Sequence, residues 1–124
     1  MNPRILSAST ITKDKVRNPA GEDLGRIEEL MLDLQEGRIA YAVLSFGGVL
    51  GLGDKLFAIP WPALSLRPDE HAFVLNVDKD TLKNAPGFDK DHWPDADDLD
   101  WLAQVYRHYG HDPYWDRTIA SGRS

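Results

Sequence analysis

Leu24–Trp61 reads LGRIEELMLDLQEGRIAYAVLSFGGVLGLGDKLFAIPW, and the pattern of this stretch decides the fold. Within it, Arg38–Phe46 (RIAYAVLSF) is dense in β-branched and aromatic residues and far too short to cross a bilayer. Strand alternation puts Ile39, Tyr41, Val43 and Ser45 on one face, and Ala40, Ala42, Leu44 and Phe46 on the other. Both faces are mostly apolar. One is expected to fill the interior of a small barrel, the other to lie under a helix or a partner.

Upstream, Leu30, Leu32 and Leu34 alternate with Met31 and Asp33. Ile27 and Leu30, however, are separated by both Glu28 and Glu29, a break of phase that predicts a β-bulge. Gln35-Glu36-Gly37 fits a three-residue hairpin loop with glycine at the left-handed position. Gly47–Asp54 is glycine-rich but leads into another strand pattern, Lys55–Pro60 (KLFAIP), with no Gly-Lys-Ser/Thr. A phosphate-binding loop would instead open a helix, so this stretch is read as a flexible turn between strands.

Asn18-Pro19-Ala20-Gly21-Glu22-Asp23-Leu24-Gly25-Arg26-Ile27-Glu28, Gly37-Arg38-Ile39-Ala40-Tyr41 and Lys55-Leu56-Phe57-Ala58-Ile59-Pro60-Trp61 together resemble the PRC-barrel family. This is the β-barrel module of the photosynthetic reaction centre H subunit and of a ribosome maturation factor. The resemblance covers roughly residues 7–85. It implies a small barrel used for assembly or regulation, with no shared catalytic residues.

Outside the central stretch, Leu6–Thr12 is expected to lay a first edge on the barrel. Asn18-Pro19-Ala20-Gly21 has the residue preferences of a type I turn, which pairs Val16 and its neighbours with the strand from Leu24. Ala63–Arg67 and Ala72–Val77 alternate as strands about the polar turn Pro68–His71, and Pro60 belongs at a strand end. The fold class is therefore mainly β: a small closed or nearly closed PRC-type barrel of about six strands, a short helix and a C-terminal amphipathic helix. Ile39, Val43, Leu44, Phe57, Leu75 and Val77 are its predicted core. Asp78 should cap a helix over Lys79–Ala85 that stops at Pro86-Gly87. Residues 1–85 then form the barrel domain, and 86–124 an acidic linker, helix and tail packed on the barrel or on a partner. Asp97 or Asp98 should cap the second helix, which runs to Tyr109 before Gly110. Leu99, Leu102, Tyr106 and Tyr109 form one stripe on it, and Trp101, Val105 and His108 a second.

Composition narrows the function. The 124 residues leave room for one domain, with 42% hydrophobic and 27% charged residues. A net charge of −6 argues against a nucleic-acid partner. The absence of cysteine excludes disulfide and thiolate chemistry and fits a reducing, cytoplasmic setting. The first residues, MNPRILSAST, lack a signal peptide's apolar region, and no membrane insertion is expected. Eight aspartates (Asp78, Asp80, Asp89, Asp91, Asp95, Asp97, Asp98, Asp100) face only Lys79, Lys83 and Lys90, but without the glycine and glutamate of an EF-hand. His108 and His111 flank Gly110, so they need not share a face, and a zinc site wants more ligands. Glu28 and Glu29 point to opposite faces of a strand, and Ser45 and Ser65 lack a nucleophile elbow. No catalytic residue, metal site or cofactor is assigned.

What remains is a non-enzymatic interaction or assembly module, regulatory and self-associating, with a homodimer favoured and a further protein partner unidentified. Tyr41, Phe46, Trp101, Val105, Tyr106, Tyr109 and Trp115 are the candidate interaction residues. Two rival readings are a small-molecule or ion sensor, binding between barrel and C-terminal helix, and an accessory factor in RNA or ribosome processing.

Overall fold

The computed structural model describes residues 5–46, 55–95 and 97–116. In chain order the elements are α1 (Ala8–Ile11), β1 (Lys15–Arg17), β2 (Asp23–Asp33), β3 (Arg38–Phe46), β4 (Lys55–Pro60), β5 (Leu64–Arg67), β6 (Ala72–Leu75), α2 (Lys79–Lys83), β7 (Phe88–Asp89) and α3 (Leu99–His108). Short 3-10 turns at Trp61–Ala63 and Pro68–Glu70 flank β5.

The β2–β3 hairpin carries two irregularities. Ile27 pairs with Leu44 but Glu29 with Val43, which leaves Glu28 as the extra residue of the expected bulge. A second shift, which the sequence pattern did not suggest, leaves Ala40 unmatched between the pairs Met31–Tyr41 and Leu32–Ile39. The loop is Leu34–Gly37, one residue longer than expected, because the last strand pair is Asp33–Arg38. Asp33 Oδ1 accepts from the amides of Gln35 and Glu36, and Gly37 takes a φ of +67° that suits it to the turn.

β1 pairs with β2 as the Asn18–Gly21 turn predicts, with Lys15 opposite Arg26 and Val16 opposite Gly25. The Gly21 amide donates to the Asn18 carbonyl, and Asn18 Oδ1 accepts from the Glu22 amide. On its other side β1 runs parallel to β6. The sheet order is β5-β6-β1-β2-β3-β4-β7.

This corrects the closed barrel of about six strands. Among the described residues there are seven strands, and β5 and β7 do not pair, so the sheet is open. The physical reason lies after β6, where the chain turns into α2 instead of a closing strand. Asp78 Oδ1 accepts from the Thr81 amide, and Leu82 and Ala85 complete the interior cluster. Leu6–Thr12 is a further correction: no edge strand forms, because Ser7 Oγ accepts from the Thr10 amide and starts α1. The glycine-rich turn expected at Gly47–Asp54 lies outside the described residues.

Two apolar clusters lie on opposite faces of β3 and β4. The interior one gathers Val16, Leu24, Ile27, Leu44, Phe46, Phe57, Ile59, Phe73, Leu75 and Leu82. The outer one contains Ala40, Tyr41, Val43, Leu56 and Ala58 under Leu102, Val105 and Tyr106 of α3. Of the predicted core, Val43, Leu44, Phe57 and Leu75 are buried. Ile39 and Val77 are only half-buried: Ile39 stands beside the Ala40 bulge near the hairpin end, and Val77 lies past the end of β6.

Candidate interaction site

The outer face of β3 is covered from within the chain. Asp98 Oδ1 accepts from the Trp101 amide and starts α3, while Tyr109 caps its end. Leu102, Val105 and Tyr106 then land on Ala40, Tyr41, Val43, Leu56 and Ala58. The Tyr106 hydroxyl donates to the carbonyl of Ala40, the residue set aside by the second bulge. That carbonyl has no strand neighbour on β4, since the ladder ends at the Tyr41–Pro60 pair. Burial pushes the Tyr106 hydroxyl up to about 12, against the pull of the Arg38 charge.

The residues after α3 strap back across the hairpin end. Tyr114 donates its hydroxyl to Asp33 Oδ2 at 2.6 Å, and the Arg38 guanidinium sits 3.9 Å from the centre of the Tyr114 ring. Trp115 packs edge-on against Tyr106 at 5.3 Å. The Tyr114 hydrogen bond, then the Glu36 amide, hold the Asp33 carboxyl below its ordinary value. Burial first, and then the Asp33 hydrogen bond, raise the Tyr114 hydroxyl well above the usual tyrosine range.

The seven candidate residues therefore do not form one free surface. Tyr41, Val105 and Tyr106 are buried in the outer cluster, with Trp101 and Trp115 half-buried beside it. Tyr109 packs against both clusters. Phe46 lies on the opposite face, edge-on to Phe57 in the interior. The second stripe of α3 also divides, because His108 is exposed while Trp101 and Val105 turn inward. A single α-helix laid on a strand pair can bury only one broad face, which here centres on Leu102, Val105 and Tyr106.

Other apolar side chains are left exposed. Trp93 is 40% exposed and stacks on Phe88 at 5.1 Å. Phe88 in turn meets Trp101, and Trp101 meets Tyr41, so four rings run from the sheet out to solvent. Leu99 is exposed on the first turn of α3, and Leu32 and Leu34 at the tip of the β2–β3 hairpin. Trp93, alone in an acidic segment, and Leu34, in a turn, were signals available in the sequence. Leu34 continues the Leu30–Leu32 alternation of a strand, and Trp93 lies on no periodic stripe, so neither stands out in the sequence as an exposed anchor.

A cavity of ≈220 Å3 lies between the end of β6 and the end of α3, lined by Pro62, Ala63, Leu75, Asn76, Val77, Tyr109 and His111. The Tyr109 hydroxyl is buried without a hydrogen-bond partner among the described residues. Burial raises it well above the usual tyrosine range, so it stays protonated. His108 stacks edge-on against the Tyr109 ring, while His111 lines the cavity. No helix among the described residues is long and apolar enough to cross a membrane.

A family model for the PRC-barrel domain matches residues 3–82. No curated protein matches the chain.

Proposed function

This chain belongs to the PRC-barrel domain family, and from that premise we propose that it is a non-enzymatic interaction and assembly module that self-associates as a dimer. The observation that carries the reading is the ladder of rings Tyr41–Trp101–Phe88–Trp93, which ends in a tryptophan left in water. Indole surface is costly to hydrate, and aromatic anchors of this kind are enriched where proteins meet. Leu99 adds apolar area on the neighbouring helix turn. The ladder lies where the C-terminal segment crosses the sheet, so it joins the family's barrel to this chain's own extension. Light scattering tests it: the full chain should scatter as a dimer, and Trp93→Ala should shift it toward monomer with the fold retained. A full chain that stays monomeric at high concentration refutes self-association.

One observation favours a sensor as the second reading. The cavity lined by Tyr109 and His111 lies between the end of β6 and the end of α3, and the Tyr109 hydroxyl is buried without a partner among the described residues. A ligand that binds only the folded chain raises its melting temperature. Thermal-shift screening against metabolites and metal ions therefore tests this reading, and a screen with no shift removes it.

A further inference from the structure

β2 outruns its neighbour. β1 pairs only with the stretch from Asp23 to Arg26, and the Ile27 amide and carbonyl close that side by bonding to Asp14 and Lys13. Beyond Ile27, nothing among the described residues pairs with this edge of β2. The backbone there has no strand partner on that side among the described residues. The Leu30 amide points off the sheet and is met at 3.3 Å by the carboxylate of its own neighbour, Glu29. An open edge of this kind templates another strand, and proteins blunt it with charged side chains, proline, a bulge or a cover, which makes it selective for a partner that complements its charge. Here the edge segment carries Glu28 and Glu29, both exposed, with Leu32 61% and Leu34 89% exposed further along.

We propose that this edge receives an extended segment of a partner protein as an added strand, one in which apolar residues alternate with lysine or arginine. The proposal deepens the interaction reading by naming the kind of partner and the place where it binds. Backbone pairing supplies affinity in such additions, and alternate side chains supply selection. The partner's carbonyl takes the Leu30 amide, and the Glu29 carboxylate released from it turns to a basic side chain. Leu32 and Leu34 cover the partner's apolar positions.

Charge and register argue against a second copy as the occupant. A two-fold antiparallel pairing centred on Met31 sets Glu29 against Asp33 of the other copy. Centring on Leu32 would set Glu28 and Glu29 against Glu36 and Gln35, which lie in the turn and offer no strand, and centring on Leu30 sets the two glutamates against Leu32 and Met31. Like charges directly opposite are destabilising, and a charge opposite leucine gains nothing. A basic segment meets no such conflict.

The test uses the full chain and three short synthetic probes. One alternates lysine with valine, one alternates glutamate with valine, and one is the lysine–valine peptide N-methylated at alternate amides. The lysine–valine peptide should bind and slow hydrogen exchange at the Leu30 amide. Its affinity should fall by about tenfold or more with N-methylation, in the Glu28→Lys/Glu29→Lys variant, and for the glutamate probe. Both glutamates are exposed, so the variant should fold, and circular dichroism checks this. Equal binding of the N-methylated or glutamate probe, or binding without protection of Leu30, overturns the proposal. Leu30 protection in the unliganded dimer, lost on dilution to monomer, assigns the edge to a second copy and also overturns it. Dimerisation by light scattering is read separately, so loss of one property leaves the other standing.

Discussion

Gly25 shows how one residue can be fixed by its surroundings. It holds a φ of +120°, and a Cβ built there would run into the carbonyl oxygen of Ser45 on β3. Both the backbone conformation and the close approach of β2 to β3 therefore require glycine. Gly37 also has a positive φ, but a Cβ there meets open space. Gly25→Ala should cost at least about 2 kcal/mol, as strain and overpacking together. Gly37→Ala should cost about 1 kcal/mol, from the turn alone. Denaturation midpoints of the two variants check this, and equal losses would contradict the close approach. The Leu-Gly-Arg run was legible as a motif in the sequence. Its cause was not, because Ser45 is distant in the chain and only strand pairing brings its carbonyl over Gly25.

Among the elements, α3 and the second bulge depend on one another. The bulge leaves Ala40 out of the β2–β3 pairing, and the β4 ladder ends beside it at Pro60. Tyr106 supplies the missing donor from a helix many residues later. Tyr106→Phe keeps the ring and removes that donor, so the buried carbonyl is left without its partner. The expected loss is about 1–3 kcal/mol in chemical denaturation, with the fold retained. An unchanged midpoint would mean that the hydroxyl does not serve the bulge. The caps and ends of α3 and the two-faced apolar character of β3 could be read from spacing and composition. The second bulge could not, since nothing in Arg38–Phe46 breaks its alternation.

At the scale of the whole molecule, the strap from Tyr114 to Asp33 ties the last described residues to the central hairpin. Asp33 has its carboxyl held below the ordinary carboxylate value, mainly by the Tyr114 hydroxyl. A lowered folded-state value contributes stability that is fully present above the unfolded value, about 3.9, and is lost as pH falls through the folded one. Tyr114→Phe should therefore melt lower than the parent at neutral pH, and the gap should close as the solution is acidified below about 4. A gap that does not depend on pH would assign the loss to packing of the ring alone. Sequence by itself determined β2 to β6, the first bulge, the residues that cap α2 and α3, and the need to cover both faces of β3, because alternation, glycine and capping chemistry act over a few residues. Only the tertiary structure decided what covers the outer face, why the sheet stays open, and which side chains are left in water. Each of these depends on residues such as Ala40 and Tyr106, or Asp33 and Tyr114, that are remote in the chain and meet only when the sheet has curled and α3 has docked.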